Sequence, residues 1–159
     1  MEHRGGCGGD SDSGDGAGIL CSIPWKYIEK ETNLKPKKDL DKGLGMVFMP
    51  NKKEKIEECK SICEKEAEKL RVKKTFWRTV PVNNEILGPL AKSNAPFISQ
   101  WILHVDRKDN QDIEKILFQL RKRIEKKIRE TFKNDVGDCE FYFASLSSQT
   151  VVYLSLIHI

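Results

Sequence analysis

The run FISQWILHV, residues 97–105, decides the fold of this chain. β-Branched and aromatic residues dominate it and no glycine or proline interrupts it, so it reads as strand more clearly than any other stretch. On its C-terminal side, Ile113, Ile116, Leu117, Leu120, Ile124 and Ile128 recur at three- and four-residue spacing. That stripe predicts the longest helix, Asn110 to Phe132. On its N-terminal side, Val82 to Pro96 (VNNEILGPLAKSNAP) reads as a loop with one helical turn, and Val72 to Val80 (VKKTFWRTV) as a strand ended by Pro81. Further back, Asn51 is expected to cap a helix reaching about Leu70, with Ile56, Cys59, Cys63, Ala67 and Leu70 on its buried face. Leu44 to Met49 (LGMVFM) is a strand closed by Pro50, and lysine-rich Asn33 to Lys42, with Pro36, an exposed loop. Trp25 to Thr32 is a brief helix entered from Pro24, and Gly18 to Ile23 a short buried strand. Beyond the long helix, Gly137 breaks the chain and Glu140 to Ser145 (EFYFAS) is a strand. Ser147 and Ser148 turn, and Thr150 to Leu154 (TVVYL) pairs back as a hairpin. Six strands and two long helices, with no internal repeat and no regular βαβ alternation, predict an α+β architecture. Its simplest form is helices packed on a largely antiparallel sheet.

Composition narrows the function. The 159 residues suffice for one domain with a real core. Twenty-eight basic residues are nearly matched by 24 acidic ones, leaving a net charge of +4, which disfavours a dedicated nucleic-acid binder. No apolar run approaches the ~20 residues that span a bilayer, and glycines and aspartates follow Met1 where a secretory signal would place an apolar segment. The expectation is a cytoplasmic protein with no membrane partner. The five cysteines, Cys7, Cys21, Cys59, Cys63 and Cys139, are odd in number and lack CxxC spacing. Cys59 and Cys63 share a helix face as small core residues, in preference to a metal pair.

Function concentrates in the first 24 residues, MEHRGGCGGDSDSGDGAGILCSIP, which hold seven of the 11 glycines and three aspartates. Such a backbone lets another group approach closely, and ordering it is entropically costly, so it is either a tail or part of a pocket. A phosphate cradle needs a strand before the glycines and a helix after them; here a strand follows, and Asp10, Asp12 and Asp15 would repel the anion. A calcium loop lacks the closing glutamate. His104 lies inside an apolar run, where a sheet-packing histidine is the plainer reading, and no serine stands in a GxSxG elbow. The residues alone thus supply no complete catalytic apparatus and no metal site. The other feature is basic: Arg121, Lys122, Arg123, Lys126, Lys127 and Arg129 crowd the long helix. They are either a solvated face or a non-enzymatic binding module for RNA or an acidic partner. The aromatics needed for stacking, Phe76, Trp77, Phe141 and Tyr142, lie in strand-like runs that read as core.

HRGGCG at 3–8 with DSDSGDGAGI at 10–19 resembles the class II glutamine amidotransferase domain of the glutamate synthase large subunit. GMVF at 45–48, WRTVPVN at 77–83, LGP at 87–89, RKRIE at 121–125 and FYFASLSS at 141–148 follow in that family's order. The resemblance covers about Met1 to Tyr153. It implies a partial N-terminal-nucleophile hydrolase fold, with stacked, largely antiparallel sheets flanked by helices. It implies a domain over 1–153, with 154–159 a non-family, artefactual tail. It also implies glutamine as substrate, hydrolysed through a cysteinyl thioester, the ammonia then passing to a flavin site that makes glutamate from 2-oxoglutarate. Arg4 and Gly5 match the segment lining the glutamine pocket, and Asp15, Gly16 and Gly18 its supporting strand entry. The family's nucleophile is a cysteine at the mature N-terminus, upstream of the HRG segment, activated by its own α-amine. No catalytic residue is therefore expected in this stretch, which is expected to be inactive alone and, with sheet edges left open, prone to aggregate. No cofactor is expected in the stretch itself, while FMN and an iron–sulfur cluster are implied for the intact enzyme. Its implied partners are the remainder of the chain and a small subunit or ferredoxin, with a plastid location in a plant or alga. Gln149 stands where the family usually has arginine.

Overall fold

A computed structural model describes residues 16–33, 40–70, 72–106, 112–133 and 141–156. The elements are β1 (Gly16–Ser22), α1 (Trp25–Thr32), β2 (Leu40–Met49), α2 (Lys53–Glu68), β3 (Val72–Thr79), α3 (Pro89–Asn94), β4 (Phe97–Asp106), α4 (Ile113–Thr131), β5 (Tyr142–Ser147) and β6 (Thr150–Leu156). They form two sheets, one of four strands in the order β3-β4-β2-β5 and one ribbon of β1 with β6. Every pairing is antiparallel. The α+β class and the stacked antiparallel sheets are as the residues and the resemblance led one to expect.

The run at 97–105 is the reason for the layering. In β4, Trp101, Leu103 and Val105 join the core beneath α2 and α4, while Ile102 and Ile98 join the core on the opposite face. A strand apolar on both faces must be covered twice. One cover is the helix pair, whose stripes meet the sheet through Ile56, Cys59, Cys63 and Ala67 of α2 and Leu117, Leu120, Ile124 and Ile128 of α4. Ile62 and Glu66 of α2 are buried as well, beyond the predicted stripe. Glu66 is neutralised by Lys69 and lies 4.0 Å from Arg123 of α4. The other cover is the β1–β6 ribbon with α1, through Ile23, Ile28 and Val151. Helix α4 can lie close to β2 because Gly43 carries no side chain: a Cβ there would stand 3.0 Å from both Leu117 methyls.

Several expectations need correction. The predicted hairpin between the last two strands does not form: β5 pairs with β2, whereas β6 leaves that sheet and pairs with β1. The corner between them explains why. Glu114, in the first turn of α4, accepts through Oε1 from the Ser147 hydroxyl at 3.2 Å, the Ser148 amide at 2.7 Å and the Ser148 hydroxyl at 2.6 Å. Ser147 Oγ in turn accepts from the amides of Gln149 and Thr150, so the chain is held in a bend that directs it across to the ribbon. Asn51 does not cap α2. Its amide donates to the Ala95 carbonyl, and Lys52 holds the cap position without a side-chain bond. The loop expected through Lys42 ends earlier, because Asp106, Val105 and His104 give Leu40, Asp41 and Lys42 ladder partners. Residues 34–39 of that loop, and the break at Gly137, lie outside the described residues. The stretch before β4 contains two helical pieces, a 3-10 turn at Asn84–Ile86 and α3. Strand β1 is not buried along its length: Ile19 and Leu20 are 61% and 65% exposed, and from this strand it is Cys21 that packs against the core, with Ile23 just beyond its end.

Glu114→Ala removes the acceptor that holds the corner, and we expect it to lower folding stability by about 2 kcal/mol. Denaturant unfolding checks this against Glu130→Ala, whose exposed pair with Lys126 at 3.9 Å is expected to change stability by under ~0.5 kcal/mol.

Candidate functional site

Of the five residues expected to wall a pocket, Arg4, Gly5 and Asp15 lie outside the described residues. Gly16 and Gly18 are brought together on β1, opposite Leu156 and Leu154 of β6. The backbone at Gly18 is ordinary extended strand, so the glycine is not there to make a turn. It permits close approach: a Cβ would come 2.8 Å from Leu154 Cδ2. Residues 154–156, expected to be a tail outside the domain, continue β6.

What fixes the ribbon is a polar chain that motif reading did not single out. Arg78 of β3 donates through Nη1 to Gln100 Oε1 of β4 at 3.0 Å, and Gln100 Nε2 donates to the Tyr153 hydroxyl of β6 at 3.1 Å. A guanidinium has no acceptor, so Gln100 must present its oxygen to Arg78 and its amide to Tyr153. The direction of the whole chain follows from its first member. Gln100 is 1% exposed and the Arg78 side chain 16%, so both links are shielded from water and gain strength. Nη2 of the same guanidinium faces α1, 3.5 Å from the Tyr27 hydroxyl and 3.9 Å from Glu31. A second link across the layers runs from the Val152 amide to Ser145 Oγ at 3.0 Å. One signal in the sequence could have found the first chain. Phe76, Arg78 and Val80, and likewise Ile98, Gln100 and Ile102, alternate onto one strand face, so Arg78 and Gln100 are polar residues at core positions.

The remaining candidates carry less chemistry. His104 is 4% exposed and packs edge-on to Phe76, a sheet histidine. Burial above all, then the neighbouring Cys59 and Glu64, pushes the Cys63 thiol well above its ordinary value, the opposite of what a nucleophile needs. Among the described residues no group of three or more His, Cys, Asp or Glu side chains could hold a metal ion. A cleft of about 210 Å³ between α2 and β3, lined by Glu64, Ala67, Glu68, Val72, Lys73 and Thr75, is below the ~300 Å³ at which ligand pockets begin.

The basic face of α4 is largely engaged within the fold. Arg121 donates to Glu125 at 2.7 Å and to the Phe143 carbonyl at 2.9 Å, Lys122 reaches Glu125 at 3.3 Å and Lys126 reaches Glu130 at 3.9 Å. The aromatics that could stack on bases stack on each other instead: Trp77 on Trp101 with centroids 5.1 Å apart, and Tyr142 on Phe48 at 4.8 Å. The binding-module alternative finds no support in this arrangement.

A family model described as glutamine amidotransferases class-II matches residues 1–159. Among curated proteins the chain is 40% identical over 161 residues to ferredoxin-dependent glutamate synthase 1, chloroplastic/mitochondrial, of Arabidopsis thaliana, covering 99% of this chain and 10% of that protein. It is equally 40% identical over 161 residues to the chloroplastic ferredoxin-dependent glutamate synthase of Oryza sativa subsp. japonica. To the NADPH glutamate synthase large chain of Bacillus subtilis (strain 168) it is 39% identical over 166 residues, again with 99% and 10% covered. The chain thus spans about a tenth of the length of the curated relatives it matches. No helix among the described residues is long and apolar enough to cross a membrane.

Two measurements check the electrostatics of these groups. Partial burial pushes the Glu125 carboxyl up, but hydrogen bonds and charge from Arg121 and Lys122 outweigh it and hold the group below its ordinary value. A carboxyl lowered on folding stabilises the fold above its unfolded pKa, and that contribution is lost as pH falls through the folded one. Glu125→Gln is therefore expected to cost about 0.5 kcal/mol at pH 7, and the difference from the parent should vanish in acid unfolding series below the folded pKa. Peptide mapping after thiol alkylation is expected to find partly exposed Cys21 modified ahead of buried Cys59 and Cys63.

Proposed function

The chain belongs to the class II glutamine amidotransferases, and from that premise we propose that it is part of the glutamine-hydrolysing domain of a glutamate synthase large chain. The observation that carries the reading is the family match over residues 1–159, joined to relatives named glutamate synthases. In this reading the intact enzyme takes glutamine and 2-oxoglutarate to glutamate, with glutamine hydrolysis supplying the ammonia. This segment's share is recognition. Arg4 and Gly5 are the proposed glutamine-binding residues, with Asp15, Gly16 and Gly18 as their proposed support. A guanidinium at Arg4 suits the substrate's carboxylate, which it can hold by paired charge-assisted hydrogen bonds. The thioester chemistry falls to an N-terminal cysteine whose own amine takes the thiol proton. Cys59 and Cys63 are unsuited to it, being buried in the core.

The electron-transfer half of the reaction is proposed to lie outside this segment. The described residues offer no donor set for an iron–sulfur cluster. FMN and such a cluster are proposed for the intact enzyme only, with ferredoxin or a small subunit delivering the electrons. The cytoplasm, or a plastid in a plant or alga, is the proposed location; the Arabidopsis and rice relatives are named chloroplastic.

The test uses the full-length polypeptide carrying this segment. Glutamine should release ammonia, a glutamine-derived diazoketone should block that release, and Arg4→Ala should raise KM for glutamine about tenfold or more. A polypeptide that leaves glutamine intact would sink the reading.

A further inference from the structure

We infer that Tyr153 is a positioning residue for the glutamine pocket, acting through β1 and held by Arg78 and Gln100. The inference rests on the reading that β1 walls that pocket. Tyr153 stands directly opposite Ile19, and the next residue, Leu154, is the one that packs against Gly18. The ribbon is only two strands wide, with Ile19, Leu20 and Leu154 exposed and Cys21, Val151 and the Tyr153 ring packed on the sheet, so apolar contact holds it there without fixing its register. Directional bonds must do so instead. The bond from Gln100 Nε2 to the Tyr153 hydroxyl links the central strand β4 to the ribbon, and Arg78 sets its polarity by occupying the Gln100 oxygen. A shift of the ribbon by a fraction of an ångström would move Gly16 and Gly18 relative to anything bound beside them, and binding geometry is sensitive on that scale.

Two variants of the full-length polypeptide separate positioning from general support. Tyr153→Phe keeps the ring and removes only the hydroxyl. Gln100→Glu keeps both links, since a carboxylate accepts from Arg78 and lets the phenol donate back to it. Tyr153→Phe is expected to raise KM for glutamine about three- to tenfold, the size of one lost hydrogen bond, with kcat within about twofold. Gln100→Glu is expected to stay within about twofold of the parent on both. Hydrogen exchange of the Tyr153→Phe protein should quicken in Gly18–Cys21 and stay unchanged in β2 and β4. An unchanged KM overturns the inference, and so does exchange that quickens across all three strands with kcat falling in step, which is loss of fold. A parent protein that does not hydrolyse glutamine overturns the underlying reading, and is told apart because no variant enters that comparison.

Discussion

The Glu114 carboxylate reaches from the first turn of α4 to the bend at Ser147 and Ser148, and the placement of the ribbon depends on what it holds there. Helix α4 is fixed at that end by its own cap, Asp112 accepting from the Glu114 amide at 3.0 Å. The same residue is thus tied by its backbone to the helix start and by its side chain to the corner. Without a fixed bend, a strand following β5 after two residues would fold back beside it, the usual outcome for such a short connection. With it, β6 is delivered to β1 and the second sheet exists.

That second sheet is needed because the central strands are apolar on both faces. β4 and β2 contribute Trp101, Leu103, Val47 and Met49 to the core under the helices, and Ile102, Leu44, Met46 and Phe48 to the core under the ribbon. Leaving either face in water would forfeit roughly 1.5–3 kcal/mol for each large side chain exposed. Set into the ribbon-side core is one polar thread, Arg78 to Gln100 to Tyr153, fully directional because its first member can only donate. Apolar contact supplies the adhesion between the layers, and the thread supplies the register.

The helices were the most legible part of the sequence. Trp25–Thr32 is observed as read, and the stripes of α2 and α4 name most of their buried residues, since an amphipathic period is a local property. Strands were found with ends shifted by a few residues, as at Leu40 and Tyr142, because a strand ends where its partner ends. The candidate site is legible only in part. Gly16 and Gly18 are marked by motif resemblance alone, whereas Arg78 and Gln100 are marked by the apolar alternation that each breaks.

By itself, then, the sequence determined the element types and the family, because each is written in local spacing or in contiguous motifs. Which strands pair, and that the last one crosses to a second sheet, was decided only by tertiary structure. The deciding groups, Glu114 with Ser148 and Gln100 with Tyr153, are 34 and 53 residues apart, and no local period encodes a contact over that distance.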